Sequence, residues 1–168
     1  MAFLKRSSSS GKDLDRSSLR ILWITILASI AFGVYVAMSG IGRLNIYARE
    51  TYFLGLFFIL AGLLLRWIAI FQLRKYFTVN VSIREDHQLI QKGLYRYLRH
   101  PSYSGSMLSF LGLALVFNNW ITFLIIFFPI LFAFLYRISV EEAELLISFG
   151  ENYLAYAHRT KKLIPGIY

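Results

Sequence analysis

The sequence contains no cysteine. That excludes disulfides, thiolate nucleophiles, Cys-ligated zinc and iron–sulfur clusters. Only 3 prolines and 11 glycines are present, too few for a collagen-like or low-complexity chain. Acids are also scarce: Asp and Glu total 9 against 18 Lys and Arg, a formal net charge of +9. Charged residues make up 16% of the chain, whereas a soluble domain carries about 25%. Apolar side chains fill the difference. They account for 57% of the 168 residues, with 15 Phe among them. Such a chain has too little polar surface to cover a soluble core, and the alternative is a bilayer.

The apolar residues fall into four runs. Residues 21–39 carry no charge, and residues 52–73 carry only Arg66. Residues 102–117 and 120–136 are separated by Asn118-Asn119, which reads as the turn of a helical hairpin. About 20 apolar residues are enough to span a membrane. The expected fold is therefore all-α, an integral membrane protein with four transmembrane helices and a cytoplasmic helical cap. Residues 1–18 are Ser-rich, charged and without periodicity, and are expected to form a mobile tail ahead of a single domain, 19–168. Cleavage of the first run as a signal peptide is disfavoured because the run exceeds the usual apolar core.

Lys and Arg collect beside alternate span ends. Fifteen lie before the first run, between the second and third (74–101), or from Arg137 to the C-terminus. The two opposite links hold Arg43 and Arg49. The positive-inside rule then puts both termini and the middle segment in the cytoplasm. The basic residues flank spans and are not gathered in one soluble module, so no nucleic-acid partner is expected. Membrane lipids are.

Three features of the spans and their borders carry more than topology. Arg66 lies about 10 Å along a helix from Leu73, so it either snorkels to the interface or points into a cytoplasm-facing site. Ser102, Gly105, Ser106, Ser109 and Gly112 share one helix face, suited to close packing, with room for a ligand at Gly105 as the sharper reading. Around the cytoplasmic border stand two polar clusters: residues 87–105, with His87, Tyr95, Arg96, Tyr97, Arg99, His100 and Tyr103, and the group Arg137, Glu141, Glu142, Glu144. Three histidines without paired ligand spacing do not make a metal site. Leu145, Phe149, Tyr153 and Tyr156 recur at helical spacing, as expected of an amphipathic cap over 138–158 that Gly150 bends or ends.

The strings Gly93-Leu94-Tyr95 and Arg99-His100-Pro101-Ser102-Tyr103-Ser104-Gly105 resemble the G-x-Y-x-x-x-R-H-P-x-Y-x-G signature of isoprenylcysteine carboxyl methyltransferases. Glu141-Glu142 followed by Phe149-Gly150, Tyr153, Tyr156 and Pro165 extends the likeness over about residues 55–168. Membrane phospholipid methyltransferases and some sterol reductases share parts of this pattern. The resemblance implies an S-adenosylmethionine site, with S-adenosylhomocysteine as product, and a prenylated cysteine as methyl acceptor. Matched residue by residue, the cofactor contacts fall on His87, Gln88, Leu89, Ile90, Tyr95, His100, Pro101, Ser102, Tyr103 and Glu141. The substrate-carboxylate arginine falls on Arg137, with Arg66 a second candidate for substrate binding. No G-x-G-x-x-G is present, so the soluble dinucleotide-type route to such a cofactor is absent. Phospholipid amine N-methylation, a membrane reductase and a non-catalytic scaffold are the rival readings.

Overall fold

Helices account for nearly all the regular structure. The computed structural model describes residues 2–73 and 89–168. Among the described residues five α-helices follow in order: α1 (Ala2–Ser39), α2 (Ala48–Leu73), α3 (Pro101–Val116), α4 (Trp120–Phe149) and α5 (Glu151–Arg159), with a 3₁₀ turn at Gly93–Arg96 before α3. Three of them, Leu14–Ser39 of α1, α2 and α4, are long and apolar enough to cross a membrane.

Local chemistry explains the boundaries. Pro101 opens α3, where its missing N–H costs nothing. Asn119 caps α4, its side-chain oxygen accepting from Ile121 N at 3.0 Å and Thr122 N at 3.1 Å. Asn118, at φ 46°, makes the left-handed step between α3 and α4, so the hairpin turn lies where the asparagine pair placed it. Gly150 ends α4 at φ 51°, a conformation favoured by glycine.

Two helices extend beyond their apolar runs. In the stretch expected to form the tail, residues 2–18 are helical, since α1 runs without a break from Ala2 to Ser39. Once the apolar half is helical, each further residue extends the helix without a new nucleation cost, and Asp15 and Ser18 are buried against α4. The fourth apolar run ends at 136, but its helix does not. α4 continues through Arg137 and Glu141 to Phe149, since no residue before Gly150 breaks it and Pro129 is accommodated inside.

Side by side, the helices run α2–α3–α4–α1, with α2 on α3, α3 on α4 and α4 on α1. The α2–α3 seam is backbone against backbone. A Cβ at Gly105 would meet Gly62 O and Arg66 N at 2.6 Å, and one at Gly55 would meet Gly112 O at 2.7 Å. Small faces give lipid-embedded helices their close approach. The space beside Gly105 is filled by α2, which decides for packing over a ligand pocket. Leu22 and Ile26 of α1, Ile126, Ile130 and Phe134 of α4, and Met107 and Ala114 of α3 form the apolar core. At one end the 40–47 link hangs on the asparagine turn: Leu44 N donates to Asn118 O at 3.0 Å and Asn119 Nδ2 to Ile41 O at 2.8 Å. Both polar clusters lie at the other end.

Candidate active site

The R-H-P-S-Y string occupies the loop entering α3 and its first turn. Its partner is the stretch of α4 from Arg137 to Glu142. Arg137 and Glu141 are four residues apart, hence one turn apart on one helix face. Tyr103, projecting from α3 toward α4, donates its hydroxyl to Glu141 Oε2 at 2.8 Å. Its ring packs on Phe134 at 5.3 Å and stacks with His100 at 5.6 Å. His100 Nε2 faces Glu142 Oε1 at 3.3 Å.

Glu142 joins three basic groups. Arg99 Nε donates to it at 2.7 Å and Lys162 Nζ lies 3.1 Å away, beside the His100 contact. Arg99 also donates to Ala157 O at 2.8 Å and Thr160 O at 2.6 Å, satisfying carbonyls that the end of α5 leaves open. The chain after α5 pairs with the motif itself: Arg99 N donates to Lys161 O at 2.7 Å, His100 N to Lys162 O at 3.1 Å and Ser104 Oγ to Leu163 O at 2.6 Å. Glu142 and Arg99 thus clamp α5 and the C-terminal segment over the start of α3.

Tyr156 on α5 is buried and donates to Tyr95 O at 2.7 Å. Burial pushes its hydroxyl up to about 12, and Arg99 pulls the other way. The Tyr95 hydroxyl is raised too, by burial first and then by Glu141 and Tyr156. Both phenols stay protonated through the neutral range and serve as donors. Between the 89–91 strand of loop and α5 is an open cleft of about 390 Å³, lined by Leu89, Gln91, Phe149, Asn152, Ala155, Tyr156 and Arg159.

Arg137 is 1% exposed. Its Nη1 donates to Asp15 Oδ1 at 2.5 Å, Asp15 O at 2.8 Å and Ser18 Oγ at 2.7 Å, all on α1. Tyr103 and Glu141 are its further electrostatic neighbours.

The structure therefore gathers Tyr103, Glu141, Arg137 and His100, with Tyr95 and Leu89 close to α5. Pro101 and Ser102 are buried at the start of α3, and Ile90 is half-buried beside Leu89. His87 and Gln88 lie outside the described residues. Arg66 faces α3: its guanidinium bonds Ser106 Oγ and reaches Ser102 O at 3.5 Å, in the α2–α3 seam. Tyr97 is 60% exposed and takes no part. Glu142 and Arg99, members of the two polar clusters, are the clamp. Asp15 and Ser18 gave no signal, because they sit in a stretch without periodicity.

Residues 53–147 match the isoprenylcysteine carboxyl methyltransferase family, a segment that includes the whole R-H-P-S-Y string and the Arg137–Glu142 turn. The chain belongs to that family. It is 35% identical over 113 residues to protein-S-isoprenylcysteine O-methyltransferase B of Arabidopsis thaliana, covering 66% of this chain and 57% of the relative. The Schizosaccharomyces pombe protein-S-isoprenylcysteine O-methyltransferase is 34% identical over 110 residues, 64% of this chain and 47% of its own. The chain thus spans about half the length of the curated relatives it matches. A solved structure of the eukaryotic intramembrane Ras methyltransferase ICMT superposes with a TM-score of 0.65 at 26% identity, covering 86% of this chain and 52% of that one. Within this family member, α1 with Asp15 lies outside the matched segment.

Proposed function

We propose that this protein transfers a methyl group from S-adenosylmethionine to the carboxylate of a prenylated cysteine, or of a similar lipid-like acid, at the cytoplasmic membrane face. The observation that carries the reading is the Tyr103–Glu141 contact. It joins the R-H-P-S-Y turn to the α4 face that also holds Arg137, so a donor site and an acceptor anchor adjoin.

The residues present fit the cofactor. Tyr103 and Tyr95 carry aromatic rings suited to an onium cation, Glu141 offers a carboxylate to an ammonium or to ribose hydroxyls, and the cleft beside Leu89 is lined by Tyr156, whose hydroxyl bonds Tyr95 O. We assign His87, Gln88, Leu89, Ile90, Tyr95, His100, Pro101, Ser102, Tyr103 and Glu141 to this site. When bound, S-adenosylmethionine supplies an electrophilic methyl on its sulfonium. Arg137 grips the acceptor carboxylate and orients one oxygen. A carboxylate is ionised at neutral pH, so no general base is required. The protein's share is alignment and exclusion of water, which the clamped α5 provides.

α4 has 30 residues, whereas about 20 cross a bilayer. Its last turns therefore stand outside, carrying Glu141 and Glu142 into the cap. α3, at 16 residues, is the fourth span, short because Pro101 and Asn118 bound it. The lysine and arginine asymmetry supports a cytoplasmic location for both termini.

The test is incubation of the purified protein in lipid with methyl-labelled S-adenosylmethionine and an N-acylated S-farnesylcysteine. A product that releases its label in mild base supports carboxyl methylation. Label held stably on a phospholipid amine moves the assignment to N-methylation, and no transfer together with no binding of S-adenosylhomocysteine rejects the methyltransferase reading.

A further inference from the structure

Arg137 is not an empty anchor. The α1 carboxylate of Asp15 sits on its guanidinium at 2.5 Å, with Ser18 Oγ at 2.7 Å, and the pair is buried at 1% and 5% side-chain exposure. This is the contact that the acceptor carboxylate would make under the proposed function, and the present inference rests on that reading. Arg137 already has Asp15 in contact and Glu141 nearby, so a further carboxylate entering beside both would meet strong repulsion. Equally, a buried guanidinium with no counter-ion is costly.

We propose that Asp15 is a built-in stand-in for the substrate carboxylate. It neutralises Arg137 while the acceptor site is empty and gives way to the prenylcysteine carboxylate when substrate enters. The segment that supplies it is the helical stretch that precedes the first apolar run. Asp15 lies in the Ser-rich, charged part of α1, before the apolar run 21–39, and α1 lies outside the family-matched residues 53–147. Ser18 forms the second contact and its hydroxyl also donates to Asp15 O at 2.8 Å, so the stand-in is a small preformed unit on one turn of helix. Asp15 is thereby a residue that sets acceptor affinity and selects for acids. A neutral ligand with the same lipid tail gains nothing by displacing it.

The experiment measures binding, not turnover, of two ligands to the full chain in lipid: an N-acylated S-farnesylcysteine and its C-terminal carboxamide. Asp15→Asn keeps the shape and removes the charge. The acid should bind this variant about tenfold tighter than wild type, because the competing occupant is weakened and the competent fraction rises. The amide should bind both proteins alike. Equal acid affinity for the two proteins, or weaker acid binding to the variant, overturns the proposal. Wild type alone gives a second reading that does not depend on the variant folding. Hydrogen exchange in the α1 segment around Asp15 should increase with the acid and not with the amide, and unchanged exchange with both overturns the proposal. Failure of the proposed function looks different: wild type and Arg137→Gln would then bind acid and amide with the same preference, showing that Arg137 receives no acceptor carboxylate at all.

Discussion

Arg137, Glu141 and Glu142 stand within six residues of one helix and do three different jobs. Arg137 faces α1, Glu141 faces Tyr103, and Glu142 faces Arg99, His100 and Lys162. Arg137→Ala should abolish methyl transfer while S-adenosylhomocysteine binding persists, read by calorimetry. It also strands the buried Asp15 carboxylate, so thermal unfolding should show a loss of about 3–5 kcal/mol. Glu141→Ala should act the other way, weakening cofactor binding first, by about tenfold for one lost charge-assisted hydrogen bond of about 1.5 kcal/mol or more. Intact cofactor affinity in that variant would remove Glu141 from the site. The motif residues were legible in the sequence because their spacing is shared by a family. Asp15 was not, because its partner is more than a hundred residues away and nothing in a Ser-rich string marks a buried contact.

Among the elements, the α2–α3 seam and the α5 clamp respond to different changes. Gly62 and Gly105 leave room only for the opposing helix, backbone at Gly105 and backbone with the Ser109 hydroxyl at Gly62. Gly62→Val should separate the helices and cost about 1–3 kcal/mol or more, seen as lowered unfolding temperature in detergent, whereas Gly40→Ala, in open space but at φ 75°, should cost about 1 kcal/mol from backbone strain alone. The small stripe on α3 was readable at helical spacing. Its complement on α2, Gly55 and Gly62 seven residues apart, was equally present and went unread, because pairing of two stripes is a tertiary fact.

The α5 clamp carries a pH signature. The Tyr156 hydroxyl is raised from an ordinary 10.0 to about 12, and the neutral phenol is the form that donates to Tyr95 O. Its contribution is complete below about pH 10 and is lost as pH rises toward 12. Tyr156→Phe should cost about 1 kcal/mol at neutral pH and should lose less stability than wild type between pH 10 and 12. Melting curves of the two proteins across that range make the comparison.

At the scale of the molecule, the lack of cysteine becomes an instrument. Single cysteines introduced at Asn45, in the α1–α2 link, and at Tyr168 report the sidedness of each end without background. A membrane-impermeant maleimide added to intact cells should label the first and reach the second only after lysis. The reverse pattern would invert the orientation argued from Lys and Arg. Four apolar runs were enough to mark four of the helices, because lipid forces unpaired backbone into helices. They could not show that α4 outlasts its apolar run, since helix continuity depends on the absence of a breaker and not on hydropathy.

The length of α4 has a mechanical consequence. From Trp120 to Arg137 is about 26 Å of helix, close to the thickness of a bilayer's hydrocarbon, which is about 30 Å. With Trp120 at one face of the bilayer, Arg137, the proposed acceptor anchor, would sit near the plane where oil meets headgroup at the other. Lipids with longer tails would draw Arg137 and Glu141 into hydrocarbon, and shorter tails would lift them into water. Hydrophobic mismatch thus tunes the site from outside the protein. Reconstituted into bilayers of graded chain length, the protein should show a turnover maximum at one thickness and a decline on both sides.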